Sequence, residues 1–203
     1  MEEKEKKIVE GAMKTFMQFG IKSVNMDDMA RHLGVSKKTI YLFVSDKDEL
    51  VQKAIDLHCE IEDAQIEEIC SRGLGAIDES LEIFKTIIEL LQNLHPSVAY
   101  DLEKYHPEVS KRLMLNRNDV VYGCMLKNIL KGQKEGVYRK DFDAEIITRM
   151  YLSHVNAMID PRLFTPGQWK LSQVYKEGFI YHIRGIANQK GLEELKEKIK
   201  HIK

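Results

Sequence analysis

The 203-residue sequence predicts an all-α protein. Three observations carry this. Apolar residues recur at three- and four-residue spacings along nearly the whole chain, and strand-type alternation is almost absent. Four prolines, at 96, 107, 161 and 166, are the only ones to interrupt it. Gly, Asn, Ser and Asp stand where helices must start and stop. About nine helices are expected on this pattern. They divide into a three-helix head over residues 1–46 and a larger helical body over residues 47–203.

The first helix is expected from Glu3 to Gln18. Ile8, Val9, Ala12, Met13, Phe16, Met17 and Phe19 form one stripe, and Gly20 follows as a C-cap does. Asn25 caps a second helix carrying Met26, Met29, Ala30 and Leu33. Asp27 and Asp28 lie in its first turn, where the helix dipole favours them. Gly34 ends it, and Ser36 caps a third. Asp46, with Glu49 three residues on, reads as a capping box opening a long fourth helix. That helix carries Leu50, Val51, Ala54, Ile55, His58, Ile61, Ala64 and Ile69, and frays near Ser71-Arg-Gly-Leu-Gly75. Further helices are expected at 77–94, 97–105, 108–135, 143–160 and 167–188. The breaks fall at His95-Pro96, His106-Pro107, Gly136 to Asp141, and Asp160 to Pro166. The tail from Leu192 is charged and helix-favouring. No flexible linker separates head from body, so movement of the body is expected to pass rigidly to the head.

Apolar residues make up 43 % of the chain, enough for a packed core. The formal net charge is −1, so attraction to nucleic acid must be local rather than global. Three cysteines, an odd number, argue against a disulfide framework and for a reducing compartment. No apolar run reaches the roughly 18–20 residues of a membrane span. The N-terminus lacks the apolar stretch of a signal peptide. A cytoplasmic protein with no membrane partner is expected.

Residues 25–50 read as a helix-turn-helix. Ala30 is the small residue where two helices cross, Gly34 supplies the turn, and Ile40 pins the second helix on the first. Lys37, Lys38 and Thr39 then fall on the first turn of the recognition helix, which Ser36 opens. Tyr41 and Asn25 can each reach a phosphate, and Lys47 is a third phosphate candidate. Acidic residues balance the basic ones in this region, so the case rests on placement and not on total charge.

At these residues the chain resembles the tetracycline-repressor (TetR) family of bacterial transcription regulators. The matching stretch is Asn25-Met-Asp-Asp-Met-Ala-Arg-His-Leu-Gly-Val-Ser-Lys-Lys-Thr-Ile-Tyr41, continued by Lys47-Asp-Glu-Leu50. Phe16-Met-Gln-Phe-Gly20 resembles the end of the family's first helix. Weaker echoes lie at Gly136-Val-Tyr-Arg-Lys-Asp141 and at Arg184-Gly-Ile-Ala-Asn-Gln-Lys-Gly191. The chain departs from the family pattern at Leu42, Phe43 and Val44. Phe43 either fills core space beside Val44 or touches a thymine methyl. With Leu42 apolar, base reading is expected to fall mainly on Lys37, Lys38 and Thr39, with Leu42 and Phe43 also among the DNA-binding candidates.

The resemblance implies a homodimer on a palindromic DNA operator, acting as a repressor and released by a small-molecule effector. It places the dimer seam on the last two long helices, where Tyr151, Val155, Phe179, Ile183 and Ile186 are candidates. It places the effector inside the body, with Phe84, Tyr100, Tyr105, Met114, Tyr122, Met125, Met150 and His154 as candidate lining. No cofactor and no metal is expected. The competing reading is a small all-helical enzyme or metal-binding bundle with an incidental helix-turn-helix. Glu103-Lys-Tyr-His106 is its single Glu-x-x-His motif, and Pro107 breaks the helix directly after it. His58, Cys59 and Glu62 could begin a metal site. Cys59 and Cys70 lie about 16 Å apart on one helix at 1.5 Å per residue, and Cys124 reads as a lone thiol.

Overall fold

The computed structural model describes residues 2–160, 162–165 and 167–199. Among these are ten α-helices and no strand. They are α1 (Glu3–Phe19), α2 (Met26–Leu33), α3 (Lys37–Ile40), α4 (Lys47–Ser71), α5 (Ala76–Asn93), α6 (Val98–Tyr105), α7 (Pro107–Glu135), α8 (Ala144–Met158), α9 (Leu171–Ile186) and α10 (Gln189–Ile199). The expected boundaries hold within a few residues, with two corrections. The charged tail is a tenth helix, because Leu192, Leu195 and Ile199 share a face that packs on a core. And α9 starts at Leu171 rather than at 167, because Gly167 takes a left-handed φ of 90° and turns the chain first. Pro161 and Pro166, within the expected break, lie outside the described residues.

The chain forms two compact units. The first comprises Met1–Ala64 with Asn93–Arg117, and the second comprises Gln65–Gln92 with Asn118–Lys203. Helices α4 and α7 each contribute residues to both.

In the first unit, Ile8, Ala12 and Phe16 of α1 meet Met29 and Ala30 of α2, Ile40 of α3, and Leu50, Val51, Ala54 and Ile55 of α4. Val98 and Leu102 of α6 and Val109 of α7 complete this core. Each large apolar side chain so buried contributes about 1.5–3 kcal/mol. Helices α1 and α2 cross closely at Gly11, where a Cβ would stand 2.2 Å from Leu33 Cδ2.

In the second unit, α5, α7, α8, α9 and α10 enclose Ile77, Phe84, Ile129, Tyr138 and Ile183. The turn after α7 is tied to the link between α9 and α10. Arg139 N–H donates to Ile186 O at 2.8 Å, and Asn188 N–H donates to Val137 O at 3.1 Å. The two weak sequence echoes, 136–141 and 184–191, are thus partners in space. Beneath them Tyr138 Oη donates to Asn128 Oδ1 at 3.0 Å, and Ser80 Oγ donates to the same oxygen at 2.9 Å. Asn128 Nδ2 donates to Ala76 O and to Glu79 Oε1, and Lys131 pairs with Glu79 at 2.7 Å. Burial raises the Tyr138 hydroxyl well above its ordinary pKa.

Candidate nucleic-acid interface

The head is fixed by local hydrogen bonds that its residue types dictate. Asn25 Oδ1 accepts from the amides of Asp27 and Asp28, both at 2.9 Å. Asp28 Oδ2 accepts from Asn25 N–H at 3.1 Å, closing a reciprocal capping box. Gly34 adopts φ 64°, ψ 28°, the left-handed turn its position requires. Ser36 Oγ accepts from Thr39 N–H at 3.0 Å and caps α3. Asp46 accepts from Glu49 N–H at 2.9 Å, as expected of a cap. Glu49 returns not to Asp46 but to the amide of Ser45, at 2.7 Å, and to its hydroxyl. Those bonds and the Lys53 ammonium hold the Glu49 carboxyl down to about 2.

Helix α3 spans one turn and then tightens. Leu42 N–H donates to Thr39 O at 3.3 Å and Phe43 N–H to Ile40 O at 3.0 Å, the three-residue repeat of a 3₁₀ turn. This sorts the candidate residues. Phe43 packs, half-buried, against the core beside buried Val44, as the first of its two readings expects. Leu42 instead stands 71 % exposed, with Tyr41 exposed beside it. Lys37 donates to Asp27 at 3.0 Å, which raises its pKa. The Thr39 hydroxyl is engaged with Ser36 Oγ at 2.8 Å. Lys38 is exposed and makes no ion pair or hydrogen bond among the described residues. Asn25 uses its Oδ1 for the cap, and its side-chain N–H₂ has no partner among them. Lys47 turns inward: its ammonium donates to Ile21 O at 2.7 Å, and burial lowers its pKa.

A latch that sequence reasoning missed holds the α1–α2 turn. Buried Asp101 of α6 accepts from Ile21 N–H at 3.0 Å, Lys22 N–H at 2.9 Å and Ser97 Oγ at 3.1 Å. Lys22 Nζ donates to Tyr105 Oη at 2.5 Å. His106 Nδ1 lies 3.3 Å from Asp48, and burial lowers its pKa. In the sequence Asp101 is one acid among many on a helix, and no local signal marks it.

Head geometry of this kind matches known regulators. Residues 8–54 match the profile of the bacterial regulatory proteins of the tetR family. Over 185 residues the chain is 23 % identical to the HTH-type transcriptional regulator YvaF of Bacillus subtilis, covering 90 % of this chain and 95 % of that one. The fold matches the TetR family transcriptional regulator PfmR of Thermus thermophilus, with TM-score 0.59 and 21 % identity, covering 89 % of this chain and 99 % of that one. Residues 8–54 thus form a tetR-family head, and the chain is similar to HTH-type transcriptional regulators along most of its length. A transcriptional regulator of Saccharomonospora viridis, solved in complex with choline, shares the fold at TM-score 0.66 and 19 % identity, covering 91 % of this chain and 98 % of that one.

The candidate residues of the body divide between buried and exposed positions. The five seam candidates, Tyr151, Val155, Phe179, Ile183 and Ile186, are all buried within their own chain. They belong to the core of the second unit. The apolar groups that α8 and α9 expose are Ile146, Met150 and Tyr181. The eight lining candidates divide: Tyr100, Tyr105 and Met114 lie in the first unit, and the other five in the second. Phe84 is buried in ring contact with Phe179 at 4.4 Å, and Met125 is buried in the same core. Tyr122 lies under the Arg149 guanidinium at 5.1 Å. Met150 and His154 are exposed on α8, and Tyr100 and Tyr105 are exposed beside Lys104 and Lys22. Cys124 is not a lone thiol. It makes a hydrogen bond with Cys70, and burial with that neighbour pushes it up to about 11. Among the described residues no group of three His, Cys, Asp or Glu side chains converges to hold a metal, and no helix is long and apolar enough to cross a membrane.

Proposed function

We propose that this regulator is a homodimeric repressor that binds an inverted-repeat DNA operator and is released by a small-molecule effector. Residues 1–46 are the DNA-binding head, and residues 47–203 carry effector binding and dimerisation. The protein works in the cytoplasm, without catalysing a reaction. The observation that carries the reading is the exposed cluster of Lys38, Tyr41 and Leu42 on the capped turn of a TetR-family head. Lys38 reads a base edge. Asn25, through its side-chain N–H₂, and Tyr41 contact phosphate, Ser36 and Thr39 hold the turn, and Phe43 supports it from the core. Lys47 releases Ile21 O to reach a phosphate, or acts only by holding the α1–α2 turn.

One head contacts only a few base pairs, so useful affinity requires two. The second copy docks on Ile146, Met150 and Tyr181. His154 and Tyr181 lie ring edge to ring face at 5.9 Å and join α8 and α9 into one surface for it. The effector lodges in the body near Phe84, Tyr122 and Met125, a mixture of aromatic and thioether groups suited to an apolar ligand. Release then requires a differential affinity, and the coupling is reciprocal. Calorimetry should find the effector bound more weakly by DNA-bound protein than by free protein.

Selection of operators from random duplex DNA tests the reading. It should return an approximate inverted repeat, bound less tightly as salt rises because lysines displace counterions. Lys38→Ala should relax preference at one position per half-site, at roughly 1–3 kcal/mol for a good base contact. Enrichment of no sequence at all would defeat the proposal.

A further inference from the structure

We infer that Leu42 is a specificity-determining residue that reads the C5-methyl group of a thymine in each half-site. This rests on the reading of the head as a DNA-binding surface. The observation is the opposite placement of two neighbouring apolar residues. Of two neighbouring apolar residues, Phe43 is the one drawn into the core, and Leu42 is the one left in solvent. No packing role accounts for an isobutyl group 71 % exposed on this turn. A lone exposed leucine is ordinary on a protein surface; what marks Leu42 is its place on the recognition turn, beside exposed Lys38 and Tyr41.

The neighbours of Leu42 define what it can meet. Its amide is bonded to Thr39 O, so the tightened turn brings its side chain over that of Thr39. Thr39 has its hydroxyl engaged with Ser36, and Lys37 has its ammonium engaged with Asp27. With Tyr41 turned to phosphate, the side chains left to read bases at this turn are therefore one cation without a partner among the described residues, Lys38, and one apolar group, Leu42. They stand four residues apart, about 6 Å along a helix or roughly two base-pair rises of 3.4 Å. In the major groove a lysine is matched by the O6 and N7 acceptors of guanine, and an apolar side chain by the thymine methyl. A guanine and a thymine within two base pairs of each other is the motif this pair fits. A cytosine at the thymine position would bring a hydrated amino group against Leu42, which offers it no acceptor.

The experiment uses full-length protein and the duplex obtained by random selection. Each thymine of a half-site is replaced singly by deoxyuridine, which removes the methyl group and leaves the base-pairing edge intact. Losing one buried methyl should weaken binding about fourfold at one position per half-site, and about fifteenfold when both half-sites are changed together. In Leu42→Ala the thymine and deoxyuridine duplexes should bind equally. Circular dichroism on Leu42→Ala should match the parent, since an exposed side chain is removed. Two results would overturn the inference. One is that deoxyuridine costs nothing at any position in the parent protein. The other is that it costs the same in Leu42→Ala as in the parent, which would assign the methyl to another residue. Failure to select any operator would instead defeat the DNA-binding reading itself, so the two failures are separable.

Discussion

Leu42 and Val44 in the first unit, and Tyr181 and Ile183 in the second, are apolar pairs two residues apart with opposite placement. Val44 is 3 % exposed and Leu42 71 %; Ile183 is 0 % exposed and Tyr181 73 %. The route to this difference is not the same in the two places. At Leu42 a 3₁₀ turn ends the helix, and local hydrogen bonding decides which side chain faces out. At Tyr181 a regular helix continues, and the choice is made by distant partners: Phe84 against Phe179, and Tyr151 against His182 at 4.2 Å. Outward placement in the head therefore follows from a few neighbouring residues. Outward placement on α9 is a property of the whole second unit.

The largest effect should come from placing a charge inside that second pair. Ile183→Glu puts an unpaired carboxylate in a dry core, a loss of about 3–5 kcal/mol. Measured by circular dichroism and denaturant titration, it should leave the protein partly or wholly unfolded. Tyr181→Glu should keep its helicity and instead shift sedimentation from dimer to monomer. If Ile183→Glu stayed folded, the division between an inner and an outer face on α9 would collapse.

The corresponding pair in the head should separate more gently. Val44→Ala leaves a cavity beside Ile40 and should cost on the order of 2 kcal/mol in denaturant unfolding. Leu42→Ala should stay within about 0.5 kcal/mol, as surface changes usually do. Equal losses at the two positions would mean that Leu42 is part of the core after all.

Buried polar groups sharpen the contrast in the same way. Asp101→Ala strands the Ile21 and Lys22 amides of the α1–α2 turn, and Asn128→Ala removes the acceptor that Tyr138 Oη and Ser80 Oγ share, leaving them the longer bonds to each other at 3.4 Å and from Tyr138 to Ala76 O at 3.5 Å. The first should lose about 1–3 kcal/mol per stranded amide, and the second about 1–3 kcal/mol in all. Hydrogen exchange should locate the first loss at residues 20–24, a local opening, and spread the second across α5, α7 and the 136–139 turn.

The last contrast is one of pH. Burial, with His154 nearby, lowers His182 to about 4. Its unfolded value is about 6.5. Between these values the unfolded chain binds the proton and the folded chain does not, so stability is full above pH 6.5 and falls as pH drops toward 4. His182→Phe should flatten that slope by about one proton's share in urea titrations at several pH values. His58 and His106, also lowered by burial, keep the remainder. An unchanged slope would mean that His182 is not the proton acceptor.

These contrasts explain what could be read in the sequence. Helix limits were legible because their signals are local: Asn25, Gly34, Ser36 and Asp46 act on amides within four residues. Phe43 against Leu42 was left open, since the choice depends on where α3 tightens. The seam candidates fell on buried positions because α8 and α9 are apolar on more than one face, and periodicity does not say which face the rest of the chain covers. Met and aromatic side chains suit a core and a pocket equally, so the lining candidates scattered. Asp101 was invisible because its partners lie 79 and 80 residues away.

The first unit closes only when the chain comes back to it. Residues 93–117 return after the excursion through α5 to supply Val98, Leu102 and Val109 to the core and Asp101 to the turn. A DNA-reading module cut at residue 46 would leave behind both a side of its core and the acceptor for two of its amides. Grafting this operator specificity onto another regulator therefore calls for transplanting two separated stretches of sequence together. By the same reasoning, recombination that exchanges only the N-terminal end between relatives would give hybrids with a loosened α1–α2 turn, unless the residue at 101 travels too.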